Sequence, residues 1–446
     1  MKRYLILGVA CCCLGASVRA EVVGVASVLQ AALEHSYARR SSQQEVEAAA
    51  AREAQAAARG RPSLDVGARA TQYSGLEEAL LGSFLVPEID QRYGAFAVVT
   101  QPLYTGGRIS GQREAESFSR QAAVAGQEAV TAGVALETLA TYWAWSRAGQ
   151  SVEAARAAVD RMQALYDDVR HQHEAGLVTD NDLLSTEVEL ERARLRQDTA
   201  GQQLQLARAQ VVFLTGQPLD AEATPEIAPA PAGPDLPGEA ELLAAAFNNR
   251  PERAARAAEV AAAAAHVKVR KADRGPTVNA RAGYEYANPN QLFFPPDDEW
   301  NDDTYVGVEV SWNVWDSGLT RGALAEAAAR QMQAELLRDQ ADADIALNVR
   351  SARIRLQESL NRYQVSTRAR ESARGNVESA TTLWKNGLAR QSEVLDAQAR
   401  LADAEAAVVD AVADVAVGRA ALDFACGALG TTNLSFVMPG AVEASQ

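Results

Sequence analysis

The sequence predicts a mainly α-helical, internally duplicated fold that carries a small β component. Three observations predict it. Segments recur at a nearly constant offset, two very long runs lack proline and are built from helix formers, and a valine-rich run alternates at period two.

The recurrence sets the organisation. "AGLVTDNDLLSTEVELERA" from Ala175 returns as "NGLARQSEVLDAQARLADA" from Asn386, and "QPLYTGGRIS" from Gln101 returns as "WNVWDSGLTR" from Trp312. Gly107 to Gly318 and Gly176 to Gly387 are both 211 positions, and "LQAALEHSY" from Leu29 resembles "LAAAFNNRP" from Leu243 at an offset of 214. The halves run over 21–235 and 236–446, joined by the Pro/Ala/Gly-rich stretch "EATPEIAPAPAGPDLPGEA".

Residues 1–20 read as an export signal: Lys2 and Arg3, an apolar run to Ala16, and Val18-Arg19-Ala20 as the cleavage site. Lipid attachment through Cys11, Cys12 or Cys13 lacks the usual Leu three residues upstream. Each half then opens with one helical segment, near Ser27–Gly60 and Ala240–Asp273, stopped by Pro62 or Pro276. Two strand-like runs follow, around turn-rich loops at Ser74–Arg92 and Asn288–Asp303. In "TYVGVEVSWNVW", Val306, Val308, Val310 and Val314 take one face and Glu309, Ser311 and Asn313 the other; Ala95, Ala97, Val99 and Leu103 are the fainter equivalents. The long runs come next, from Arg108 to about Glu174 and from Thr320 to about Lys385. At 1.5 Å per residue each would reach roughly 100 Å, far beyond an ordinary globular helix. A second helix, about Asn181–Thr215 or Ser392–Leu429, makes each long run one arm of an antiparallel hairpin. The opening motif, with Gly176-Leu177 or Gly387-Leu388, is its tip.

Composition removes several classes of function. Loss of Lys2, Arg3 and Arg19 with the signal takes the formal charge from −15 to −18, so no basic face is offered to nucleic acid. Cys426 would be the sole remaining cysteine, which excludes an internal disulfide. No stretch after the signal approaches the ~18 apolar residues of a spanning helix, so any membrane passage must use β-strands.

Catalytic and metal signals are weak. "PLYTGGRISG" sits between strand and helix but lacks the Lys-Ser/Thr of a phosphate loop, and reads as a structural turn. His171 and His173, two apart, point to different helical faces. Asp180 is read as a helix N-cap or first-turn acid, without a calcium-loop glycine. No nucleophile–base set is present, so neither an enzyme nor a cofactor or metal site is expected. Acids do recur after each tip glycine: Asp182 in the first copy, Glu393 and Asp396 in the second.

Taken together, the duplicated helix–strand–strand–long helix–helix order resembles the TolC-type outer-membrane efflux and secretion channels. The paired "GL…DLL" and "GL…EVLDAQ" tips, the "QPLYTGG" and "WNVWDSG" strand ends, and "VVFLTGQPL" carry the resemblance. It implies a homotrimer in which four strands per chain complete a twelve-stranded barrel in outer-membrane lipid, continuous with a periplasmic α-helical barrel. It also implies a periplasmic adaptor and an inner-membrane pump as partners, for efflux or type I secretion. Glu393 and Asp396 match positions of an acidic ring at the periplasmic mouth, and Asp182 the acidic partner of a gate link. Trp384 stands where an aromatic hydroxyl is expected; Ala389 replaces a basic residue, with Arg390 adjacent. The competing reading is a pore-free periplasmic coiled-coil adaptor, which would not require two amphipathic strand pairs.

Overall fold

The computed structural model describes residues 22–74, 79–81, 84–86, 90–229, 236–293 and 298–429. The segment 1–20 expected to be an export signal, with Cys11, Cys12 and Cys13, lies outside these residues, as do parts of the two turn-rich loops and of the join. A short strand β1 (Val22–Val23) leads into α1 (Val25–His35), α2 (Tyr37–Ala58) and β2 (Ser63–Gln72). A small hairpin, β3 (Ala79–Leu81) with β4 (Phe84–Val86), precedes β5 (Gln91–Tyr104), α3 (Arg108–Glu174), α4 (Asp180–Thr215) and β6 (Thr224–Pro225). The order then repeats as α5 (Glu239–Asn249), α6 (Pro251–Ala272), β7 (Thr277–Asn288), β8 (Asn301–Ser311), α7 (Leu319–Lys385) and α8 (Gln391–Ala425).

Each expected single opening helix is two. The first breaks at Ser36, whose hydroxyl accepts from Arg39 N and starts α2. The second breaks at Arg250, which Pro251 holds in extended backbone before α6 begins. Both breaks fit over a helix end. The His35 ring lies against Gly216 at the end of α4, and the Asn249–Arg250 backbone against Gly427 after α8.

β2, β5, β7 and β8 form one antiparallel sheet in that order, each half giving two strands. The registers Leu64↔Val99↔Ala282↔Val306 and Val66↔Ala97 put an apolar face on one side. The other side carries Asp65, Arg69, Arg92, Glu285, Arg281 and Glu309, with ion pairs Arg92–Glu285 (3.0 Å) and Arg281–Glu309 (2.7 Å). Val306, Val308 and Val310 are therefore exposed on the apolar face and Glu309 lies opposite. β8 stops at Ser311, so Val314 and Asn313 fall beyond the strand they were expected to extend. The cause is the turn into α7: Asp316 accepts from Gly318 N (3.0 Å), Thr320 N (2.8 Å) and the Thr320 hydroxyl. Those bonds, the Thr320 hydroxyl foremost, hold the Asp316 carboxyl below its usual range.

α3 and α7, 67 residues each, run the length of the helical part. α3 packs on α4 and α8, and α7 on α8, so at the tip end α4 and α7 are the two outer helices. Three apolar cores lie along this array. Two make a belt midway: one around Val25, Leu139, Tyr142, Trp145 and Val211, the other around Leu242, Ile345, Val349, Leu356 and Cys426. In the first, Tyr142 donates to Val23 O and accepts from Glu226 N, both at 2.8 Å, fastening the chain start and the join to α3. The third core is at the tips.

Candidate functional site

Two regions are candidates for function: the sheet and the paired hairpin tips. Aromatic side chains bracket the sheet's apolar band. Tyr286 and Trp300 stack at 4.9 Å at the loop end, and Tyr104, Trp312 and Trp315 are exposed at the helix end. An apolar band between two aromatic girdles is the pattern of strands facing lipid. β2 and β8 are the open edges of this sheet, and unpaired edges are not tolerated in lipid.

Each tip is a Schellman turn. Gly176 has φ 73°, with Gly176 N donating to His173 O and Leu177 N to Gln172 O. Gly387 has φ 71°, with Gly387 N donating to Trp384 O and Leu388 N to Leu383 O. A left-handed residue is needed here, which glycine adopts without a Cβ penalty. The turns leave Leu177 76% and Leu388 75% exposed.

Beyond the turns, the two copies differ. α4 has a full capping box: Thr179 Oγ1 accepts from Asp182 N at 3.3 Å, and the Asp182 carboxylate accepts from Thr179 N at 3.1 Å. Thr179 is thus the cap, and of the two places expected for Asp180, N-cap or first turn, it takes the first turn, with Oδ1 2.5 Å from His173 Nε2. Asp182 is engaged in holding its own helix start. α8 follows Arg390 at the N-cap position, which makes no side-chain cap, and among the described residues no cation pairs with exposed Glu393. Asp396 faces Arg400 one turn on, at 2.7 Å.

Trp384 does not line a surface. It is buried with Met162, Leu165, Val169, Leu190, Val394 and Ala397, the core that joins both hairpins at their tips. Lys385–Asp168 (3.3 Å) adds an exposed ion pair between them. Gln391, which sequence reasoning passed over, is 6% exposed; its Nε2 donates to Asp182 O at 3.0 Å and to the Thr186 hydroxyl. One signal was available: Gln391, Val394 and Leu401 share a helical face, so a polar residue occupies a core position. Among the described residues no cluster of metal ligands occurs, and no helix is long and apolar enough to cross a membrane.

The comparisons agree with this geometry. The model of the family described as outer membrane efflux protein matches residues 28–217 and again 242–428, once in each half. No curated protein sequence matches the chain. Among solved structures, the outer membrane protein VceC of Vibrio cholerae is 20% identical, with TM-score 0.77 over 90% of this chain and 96% of that one. The open-state outer membrane channel MtrE of Neisseria gonorrhoeae is 17% identical, with TM-score 0.74 over 92% and 93%. The CmeC outer membrane channel of Campylobacter jejuni is 13% identical, with TM-score 0.76 over 91% and 86%. At these identities the likeness speaks for the fold.

Proposed function

Because the chain belongs to the outer membrane efflux protein family, and is thus an outer-membrane channel that serves as the exit duct of an efflux system, we propose that three copies assemble the duct. The observation that carries this is the pair of unfinished edges on one protomer. Four strands cannot close a barrel, whereas three copies give twelve with no free edge. The outer helices are unfinished too. On α4, exposed Leu184, Val188, Leu195, Leu206 and Phe213 are spaced 4, 7, 11 and 7 apart, each close to a whole number of turns, so they share one face. On α7, exposed Leu347, Ile354, Val365 and Leu383 form a matching stripe. α4 of one protomer against α7 of the next covers both, as β2 against β8 closes the sheet. A pore-free adaptor explains neither edge.

Substrate passes through without chemistry by the protein. The exposed Leu177 and Leu388 are the surface offered to a periplasmic adaptor, which links the duct to an inner-membrane pump. Glu393 and Asp396, three copies of each, make an acidic ring at the periplasmic mouth that favours cations; Arg400 tempers Asp396, so Glu393 dominates. Asp182 and Arg390 stand beside the ring as helix-start residues. Outer-membrane fractionation with sizing in detergent tests the assembly: a trimer is expected, and a soluble monomer overturns it. For the ring, Glu393→Ala with Asp396→Ala should weaken divalent-cation block of single-channel current, and unchanged block refutes it.

A further inference from the structure

We propose that the groove on the outer face of α2 and α3, next to the sheet, binds the phosphate of an anionic phospholipid through Arg61 and Arg113. The lipid belongs to the leaflet that faces the periplasm, and the proposal rests on the channel reading above. The groove holds about 560 Å³ and is lined by Ile109, Phe118 and the two arginines among others. Its orientation follows from the helix order α2–α3–α6–α7, in which neighbours touch. Gln112, Ser119 and Ala123 of α3 line a concave wall with residues from the other three helices, so that side faces the duct axis. Arg113, Ser117 and Gln121 lie on the opposite side of α3, which is turned outward.

Depth and charge select the ligand. Arg61 stands two residues before β2 begins, and Arg113 lies roughly 8 Å into α3, on the headgroup side of exposed Tyr104. The acids in the groove are already engaged, Glu53 with Arg120 at 3.2 Å and Glu114 with Lys268 at 2.8 Å. Among the described residues Arg61 and Arg113 have no acidic partner, and both are exposed. Four cations (Arg61, Arg113, Arg120, Lys268) against two acids leave a local charge of +2, on a chain whose total is −15. A phosphate diester with one negative charge suits such a site, whereas a headgroup bringing its own ammonium finds no free carboxylate. Ile109 and Phe118 offer apolar surface to the glycerol end of the acyl chains. The second half lacks the pair: the positions matching Arg61 and Arg113, at offsets of 214 and 211, hold Gly275 and Leu324. Each protomer therefore has one such site, and a trimer three.

The test uses the purified full-length trimer in detergent, with native mass spectrometry counting bound lipid. Phosphatidylglycerol should bind in up to three copies and be preferred over phosphatidylcholine on the order of ten-fold. Arg61→Gln and Arg113→Gln should each weaken phosphatidylglycerol on the order of ten-fold, and Arg113→Lys should recover part of the loss. Arg321→Gln removes an exposed cation in the first turn of α7, outside the groove, and should leave binding unchanged. Equal binding of the two lipids, or an equal loss in Arg321→Gln, overturns the site. Inorganic phosphate that displaces phosphatidylglycerol at equal concentration makes this a free-phosphate site and overturns the lipid assignment. If one arginine variant does not assemble, the other and the wild-type lipid preference decide. Absence of a wild-type trimer strikes the channel reading instead.

Discussion

Four glycines end helices with nearly the same left-handed backbone and very different surroundings. Gly176, Gly216, Gly387 and Gly427 have φ of 73°, 66°, 71° and 71°. Replacing any of them by alanine imposes the left-handed penalty, about 1–2 kcal/mol. At Gly176 and Gly387 nothing lies within 4 Å of the new Cβ, so that penalty is the whole cost. At Gly427 the Cβ would sit 2.8 Å from the Asn249 carbonyl carbon and 2.9 Å from Arg250 N. These are backbone atoms at a helix junction, held by Arg250 Nη1 donating to Phe424 O at 3.1 Å, and they cannot swing aside. Overpacking adds about 1–3 kcal/mol, giving about 2–5 kcal/mol in all. At Gly216 the obstacle is the His35 ring, 2.4 Å away but on a side chain that can rotate, so Gly216→Ala should fall between. Thermal unfolding of the detergent-solubilised protein, followed by circular dichroism, reads the order. Asparagine separates the two terms, since it tolerates left-handed backbone but keeps a Cβ. Gly387→Asn should melt near wild type, whereas Gly427→Asn should remain destabilised. If Gly427→Ala melts with Gly387→Ala, the close fit between helix junction and helix end is refuted.

Other expectations follow from the same geometry. Tyr142→Phe leaves the Val23 carbonyl and Glu226 amide without their partner, and should cost about 1–3 kcal/mol, read by the same melting experiment. Burial raises the Asp423 carboxyl to about 6, so the folded state binds its proton more tightly than the unfolded chain. Its contribution to stability is present below the unfolded value near 3.8 and lost as pH rises to about 6; Asp423→Asn should remove that slope from the melting profile. Val308→Lys, on the lipid-facing side of β8, should cost about 2–4 kcal/mol and reduce the outer-membrane fraction. Thr179→Ala should cost about 1 kcal/mol and raise amide exchange most in the first turn of α4.

Much of the fold was legible because its determinants are local. Absence of proline, helix-forming composition and a glycine at the turn place α3 over Arg108–Glu174 without reference to anything else. The same holds for the valine alternation of β8. The break at Ser36 was not legible, since no local residue forbids helix there; it answers to Gly216, about 180 residues away in the sequence. Its counterpart at Arg250 carried the sign of Pro251. At the tips, sequence pairs Asp182 with Glu393 because both stand at the same step after the glycine. Only the structure separates them, through a hydroxyl three residues before Asp182 and an arginine three residues before Glu393. Trp384 looked like a substituent of a surface link because an alignment position says nothing about which way a ring turns.

Duplication gave this chain two hairpins of one shape, and the differences at their tips divide the work. The first tip engages its acid at its own helix start, which makes Asp182 a fixed carbonyl-bearing platform. The second tip has no such cap. Its helix start is steadied from outside by Gln391 on that platform, and Glu393 remains exposed with its charge available. The exposed acid and the uncapped helix start therefore belong to the same hairpin, and the fixed carbonyl to the other. A Thr179→Ala change should then be felt twice: directly in α4, and more weakly in the first turn of α8, through a less well-aimed Asp182 carbonyl. Faster amide exchange in α8 that vanishes in the Gln391→Glu background would show that the carbonyl acts through the Gln391 hydrogen bond, and no change in α8 would refute it.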